Sequence, residues 1–397
     1  MVTAIFTMIG NVPAALAFPR RLRLARWQMD RSVQNVGTSE VREAHRFDEA
    51  RLEQWLASEV EGFSGPLNVE QFRGGQSNPT YKLVTPGQSY VLRRKPPGKL
   101  LPGAHAVERE YRVITALGAQ GFPVARTYAL CSDENVIGTP FYVMAMVEGR
   151  IFWNVSFPEV SISERPAYFD AMNATIAALH AIDPEAAGLG DYGKPGNYFA
   201  RQIGRWSKQY VEDEEAGRVE AMDRLVEWLP DNIPADEPRA RIIHGDFRCD
   251  NMIFDPVEPR VLAVLDWELS TLGHPLADFS YHLMMYRMPY GLASGLAGLD
   301  LEALNIPSEA DYVAAYCRRT GREGAKEERG GPGTGFRRGD ARAQRAPAFT
   351  ACAQARSASG SRVATMVAAW AEEAVPLASL PLIPWTMPAS RNRLKAM

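Results

Sequence analysis

Residues 241–266 run twice from a short apolar stretch into a carboxylate, as "RIIHGDFRCDNMIFD" and then "VLAVLDWE". Short apolar runs bounded by polar clusters are the signature of buried strands. A fold that accepts this segment must bring several short strands close together, with His244, Asp246, Asn251 and Asp266 in the loops or at the strand ends. Such residues either cap turns or hold something charged. An isolated Asp-x-x-x-x-Asn is most simply turn chemistry, because Asp and Asn side chains bond nearby backbone N–H groups. The second acid, Asp266 at the end of the next strand but one, calls for more than a cap.

The chain before this segment divides into two parts. Over Phe47–Val60, Leu52, Trp55, Leu56 and Val60 recur at spacings of three and four, which predicts a helix. "LNVEQFRGGQSNPTYKLVTPGQSYVLRRKP" alternates and breaks at Gly74-Gly75 and Pro86-Gly87, which predicts three strands joined by two turns. "AVEREYRVITAL" places Val107, Tyr111, Ile114 and Leu117 on one helical face. "PFYVMAMVEGRIF" is a further strand that then leaves the sheet. Beyond it the periodicity is helical, with amphipathic segments beginning near Pro166, Asn197 and Ala221 and another near Leu276. His180 lies on the first of these and is read as a satisfied helix residue. Strands and helices segregated in this way predict an α+β fold. The expected divisions are an extension over 1–46, a sheet-bearing part over 47–146, a mainly helical part over 147–321, and a tail over 322–397.

Both ends differ from the middle. The first 46 residues are expected to be largely without fixed structure. Their apolar start is interrupted by Gly10, Asn11 and Pro13 and precedes its arginines, which is the wrong order for a secretory signal. A mitochondrial transit peptide and a membrane anchor are the alternatives, so the expected location is cytoplasmic, or mitochondrial if that segment is a transit peptide. From Arg322 the chain is rich in Gly, Ala, Arg and Ser and loses its apolar period, so it is expected to be largely disordered.

Charge and cysteine content narrow the function. Forty-four basic and 47 acidic residues give a net charge of −3, which offers no global attraction to nucleic acid or to anionic membranes. The 4 cysteines are far apart and form no CxxC pair, which argues against zinc and against a disulfide framework. The expected partner is a small molecule; the sequence leaves the oligomeric state open.

Phosphoryl transfer from ATP explains the polar residues economically. It needs a carboxylate to orient and deprotonate the attacking hydroxyl, and oxygen ligands for Mg2+ bridging the phosphates. Asp246 suits the first task, and Asn251 and Asp266 suit the second. Upstream, Gly74 and Gly75 let backbone N–H groups approach a phosphate, and Ser77 and Asn78 add donors. Arg93 in "YVLRRKP" shares a strand face with Val91 and offers a cation to the phosphates, with Arg94 and Lys95 as runners-up. Glu108 and Glu110 on the following helix are the candidate acids to hold it. Trp153 and Trp206 are candidates to face a quaternary amine, although both are more simply core residues.

With these residues in hand, the sequence resembles the aminoglycoside phosphotransferase superfamily, which has the bilobal protein-kinase-like fold. "IIHGDFRCDNMIFD", "VLAVLDWELSTLGHPLADFSY" and "YVLRRKPPGKLLPGAHAVEREYRV" carry the resemblance, which extends over about residues 47–321. It is strongest to the kinase-like domain fused to acyl-CoA dehydrogenases and to its stand-alone bacterial relatives. The resemblance implies Asp246 as catalytic base and Asn251 and Asp266 as Mg2+ ligands. It implies Arg93 on the α/β-phosphates, Glu110 holding Arg93, Gly74 to Asn78 covering the phosphates, and Met144 to Val147, with Met144 and Met146, beside the adenine. Asp278 would brace the catalytic loop. The implied reaction is transfer of the γ-phosphate of ATP to a hydroxyl, with a hydroxyacyl-CoA as candidate acceptor. The alternative is an impaired relative that binds nucleotide or a partner without turnover. Two departures stand out: Arg replaces the family's Lys, and the tail stands where an aromatic helical segment is expected, as a frameshift or a truncated gene model would leave it.

Overall fold

The computed structural model describes residues 36–73, 78–98, 105–194, 196–212, 218, 220–233, 239–288, 290 and 295–322. Gly74, Gly75 and Ser77 of the expected phosphate cover lie outside these residues, as do 1–35 and the tail from 323 onward.

The first half is an antiparallel sheet of six strands in the order β1-β2-β3-β4-β6-β5. The strands are β1 (Thr38–Ser39), β2 (Asn68–Phe72), β3 (Thr80–Val84), β4 (Ser89–Arg94), β5 (Thr127–Cys131) and β6 (Phe141–Ala145). Helix α1 (Glu49–Glu59) packs on one face and α2 (Val107–Ala119) lies on the other. Asp48 opens α1 as its N-cap, accepting from the Arg51 N–H at 3.0 Å.

Alternation along β4 and β6 sorts their side chains. Tyr90, Leu92, Phe141 and Val143 join Leu52 and Leu56 in one core, while Val91, Tyr142 and Met144 join Val107, Ile114 and Leu117 in the other. Full burial of a leucine such as Leu52 or Leu56 contributes about 1.5–3 kcal/mol. Because both faces are covered, β4 is buried from Tyr90 to Arg94. The same alternation separates its two arginines. Arg93 turns with Val91 toward α2, and Arg94 turns the other way, over the Phe47 ring at 5.4 Å.

Strands β1 and β5 were not foreseen. β1 pairs Thr38 with Phe72 and Ser39 with Gln71, so the end of the 1–46 segment adds an edge strand instead of lacking structure. At two residues it is too short to leave a periodic signal. β5 is only half-buried and carries no alternation.

Between β5 and β6 the sheet carries one short helix, α3 (Glu134–Ile137), and the second half is mainly helical, with α4 (Arg165–Ala181), α5 (Tyr198–Glu212), α6 (Glu220–Trp228), α7 (Pro275–His282) and α8 (Glu309–Thr320). Phe169, Met172 and Ile176 of α4 share a core with Tyr312 and Tyr316 of α8. Two small antiparallel pairs lie among the helices. β7 (Arg241–Ile243) pairs with β10 (Thr271–Gly273), and β8 (Met252–Phe254) with β9 (Val261–Val264). The chain leaving β6 is pinned to β8 by reciprocal Arg150–Phe254 backbone hydrogen bonds, both 2.8 Å. That anchor sets the sheet over the loops that follow β7 and β9.

Candidate active site

β7 ends at Ile243 and the next two residues are gripped by Asp278 from α7. The His244 and Gly245 N–H groups each donate to its carboxylate at 2.8 Å. Asp278 also meets His180 Nε2 at 3.3 Å, and His180 Nδ1 meets the Tyr316 hydroxyl at 2.7 Å. Burial raises the Asp278 pKa, but hydrogen bonds and charge from His180 and His244 outweigh it, so the carboxyl stays below its ordinary value. Gly245 has φ +87°, and a Cβ there would lie 2.9 Å from the Leu269 carbonyl, so only glycine turns the loop here.

His244 is a spacer. Its Nδ1 accepts from the Asp246 N–H at 3.1 Å, which leaves Nε2–H to donate to the Leu265 carbonyl at 2.7 Å. Leu265 also donates its N–H to the Asn251 carbonyl at 2.8 Å. Leu265 therefore ties the loop bearing Asp246 and Asn251 to the residue before Asp266. Asp266 itself takes φ 62°, ψ 64°, a left-handed conformation uncommon for a residue with a side chain.

The Asp246 carboxylate is held at both oxygens. Oδ1 accepts from the Tyr281 hydroxyl of α7. Oδ2 accepts from Asn251 Nδ2 at 3.0 Å, and the same amide group reaches the Asp246 carbonyl at 2.9 Å. Arg248 Nε lies 3.5 Å from Oδ1, while its other end bonds Asp250 at 2.6 Å. Burial pushes the Asp246 carboxyl above its ordinary value; Arg248 and the Tyr281 hydrogen bond partly counter this.

From the sheet, Arg93 reaches across. Its Nε is 2.8 Å from Glu110 Oε2, an ion-pair contact without an aligned hydrogen bond. Its Nη2 is 2.7 Å from Asp266 Oδ1 and 3.6 Å from Glu268 Oε2. Burial alone would lower the Arg93 pKa; Glu110 and Asp266 reverse that and raise it. Glu110 is 1% exposed and is also bonded by Asn78 Nδ2 at 2.7 Å and the Tyr142 hydroxyl at 3.1 Å.

Of the residues singled out in the sequence, Asp246, Asn251, Asp266, Arg93 and Glu110 are brought into this one network. Asn78 enters it differently from expectation: fully buried, it spends its amide on Glu110 and its oxygen on His105, so the side chain supports Glu110 and is not turned to a phosphate. Met144 is buried beside Val91, and Met146 packs partly buried on the same core. The runners-up Arg94 and Lys95 stand apart, Lys95 pairing with Glu108 at 2.6 Å. Trp206 is a core residue whose indole N–H bonds Gln202 in its own helix at 3.1 Å. Sequence reasoning missed Tyr281 and Arg248. Tyr281 follows Asp278 by three residues on a helix, hence on the same face, and Arg248 is the one cation inside the loop motif itself.

Among the described residues, no group of three or more His, Cys, Asp or Glu side chains is arranged to hold a metal. No described helix is long and apolar enough to cross a membrane.

This architecture is shared with known proteins. The profile of the Phosphotransferase enzyme family (APH) matches residues 68–330. Acyl-CoA dehydrogenase family member 11 of Gallus gallus is 48% identical over 292 residues, covering 72% of this chain and 37% of that protein. Acyl-CoA dehydrogenase family member 10 of Mus musculus is 41% identical over 318 residues, covering 79% of this chain and 28% of that protein. The chain thus spans only about a third of these relatives' length, 37% of the first and 28% of the second. A crystal structure from Ralstonia eutropha, described provisionally as an aminoglycoside phosphotransferase, superposes with a TM-score of 0.69 at 48% identity, over 83% of this chain and 99% of that one. Aminoglycoside phosphotransferase APH(4)-Ia, crystallised with ADP and hygromycin B, shares the fold at a TM-score of 0.56 and 14% identity, over 84% of this chain and 99% of that one. With its profile matched over most of the folded chain, and with its loop after β7 gripped by Asp278, this protein belongs to the phosphotransferase enzyme family, with the protein-kinase-like fold.

Proposed function

We propose that the chain is an ATP- and Mg2+-dependent phosphotransferase acting on an alcohol hydroxyl of a small molecule, with hydroxyacyl-CoA compounds the first acceptors to test. One observation carries this reading. The loop bearing Asp246 and Asn251, Asp266 after β9, and Arg93 on β4 arrive from three separate segments and are linked through Leu265 and the 2.7 Å Arg93–Asp266 contact. Turn chemistry alone has no need of that convergence.

The donor set fits Mg2+. Asn251 commits its NH2 group to Asp246, which leaves its Oδ1 for a cation, and Asp266 has a carboxylate oxygen beyond the one on Arg93. Two protein oxygens suffice, because Mg2+ usually keeps waters and substrate phosphates as its other ligands. When bound, the ion neutralises charge on the phosphates. Asp246 accepts the proton of the attacking hydroxyl. Arg93, held by Glu110, supplies positive charge to the nucleotide's phosphates. Met144 and Met146 are the residues proposed for the adenine side.

Two measurements test the reading. Mg·ATP must raise the unfolding midpoint, since a ligand that binds only the folded state stabilises it. Asp246→Asn must lower turnover by about 10^2–10^4-fold, the usual weight of a general base, and leave that midpoint rise intact. A wild-type chain stabilised by Mg·ATP but releasing no ADP supports the alternative of nucleotide binding without turnover. A fully active Asp246→Asn removes Asp246 from the mechanism.

A further inference from the structure

We infer that Tyr281 is a positioning residue for Asp246, orienting its carboxylate toward the acceptor hydroxyl by donating a hydrogen bond to Oδ1. The inference rests on the phosphotransferase reading above and gives a role to a residue to which the sequence motifs assigned none.

α7 presents Asp278 and Tyr281 three residues apart, on one face. The first grips the main chain of the loop at His244 and Gly245, and the second grips the side chain that follows them. A single rigid helix thereby sets both the backbone and the side-chain torsions of Asp246. Its partner on the other oxygen is Asn251, from within the loop itself. A carboxylate has about four lone-pair sites, so two donors leave room for an incoming hydroxyl while removing rotation of the group. Arg248 does not replace the tyrosine. It stands 3.5 Å from Oδ1, and its short contact, 2.6 Å, is to Asp250. Without the Tyr281 hydroxyl, Oδ1 is left to Arg248, and the carboxylate is free to turn toward that cation. A misdirected base lowers the rate of the step in which the substrate O–P bond forms, the bond from the γ-phosphorus to the ADP oxygen breaks, and the hydroxyl proton passes to Asp246. Nucleotide binding, which depends on Arg93 and Asp266, is not affected.

The test uses the full chain and reads ADP release from Mg·ATP with water as acceptor, repeated with a hydroxyacyl-CoA. Tyr281→Phe keeps the ring and removes only the hydroxyl. We expect kcat to fall by about 10–100-fold, the weight of a hydrogen bond to a charged group, with KM for Mg·ATP within about twofold of wild type. In an Asp246→Asn background the same substitution should cost almost nothing further, because residues that act through one another are not additive. Unchanged kcat in Tyr281→Phe overturns the inference, and so does an equal loss in both backgrounds. Thermal unfolding reads packing separately: a lowered midpoint with unchanged kcat per folded molecule also overturns it. If Asp246→Asn itself retains full turnover, Asp246 leaves the mechanism, and if wild type releases no ADP the phosphotransferase reading fails; in either case this inference falls with it. A loss in Asp246→Asn with none in Tyr281→Phe removes Tyr281 alone.

Discussion

Arg93 and Asp266 are 173 residues apart in the chain and 2.7 Å apart in the fold. The contact joins the penultimate residue of β4, on the same strand face as Val91, to the acid that follows β9. Arg93 is 11% exposed at its side chain, and its other partner, Glu110, is 1% exposed. The cation is therefore the link between a buried acid and a half-open one.

That arrangement makes Arg93 a stability determinant in addition to its proposed role at the nucleotide's phosphates. Arg93→Met strands the buried Glu110 carboxylate and is expected to destabilise the fold by about 3–5 kcal/mol, the usual cost of breaking a buried pair. Arg93→Lys keeps a charge but not the planar fork that reaches Glu110 and Asp266 together. It should retain most of the stability and raise KM for Mg·ATP. Urea unfolding and steady-state kinetics separate the two effects; equal stability of Arg93→Met and wild type would refute the stranded-acid argument.

The loop turn at Gly245 gives a second expectation. Gly245→Ala adds a Cβ against the Leu269 carbonyl in a left-handed backbone, a conformation that costs a residue with a side chain about 1–3 kcal/mol. Displacement of the loop should lower turnover well beyond the stability loss, because Asp246 is the next residue. A variant with a lowered unfolding midpoint and full kcat would show that the turn tolerates displacement.

His282 sets a pH dependence of stability. Its Nδ1 meets the Phe247 carbonyl at 3.0 Å and its Nε2 the Tyr312 hydroxyl at 2.7 Å, and burial lowers its pKa from 6.5 to about 4. The unfolded chain then binds more protons than the folded one between those values, so stability rises with pH across that window. Stability from this group is present above about pH 6.5 and is lost as pH falls toward 4, by about 3 kcal/mol in all. Urea midpoints measured from pH 7 to 4.5 should decline, and His282→Gln should flatten the decline. An equal slope in the two proteins would place the acid sensitivity elsewhere.

Much of this was legible in the primary structure. Alternation in "YVLRR" separated Arg93 from Arg94, and the structure sends one to the site and the other to Phe47. Helical period marked α1, α2 and α4 to α7, because each has one apolar face to bury. The order His244, Asp246, Asn251, Asp266 was visible because a turn and two strand ends are local features. The choice of Glu110 over Glu108 followed from the helix face turned to the sheet, and only the resemblance had favoured it.

What the sequence alone could not decide was which distant residues meet. Asn78 looked like a phosphate donor beside two glycines and instead props Glu110 from a buried position. β1 and β5 exist because a sheet edge offers unpaired backbone groups, not because their residues demand a strand. The grip of Asp278 on Gly245 and of Tyr281 on Asp246 depends on where α7 docks, and that docking is set by packing among α4, α7 and α8. Periodicity reports only which face of an element seeks burial; the partner it finds there is a property of the whole fold.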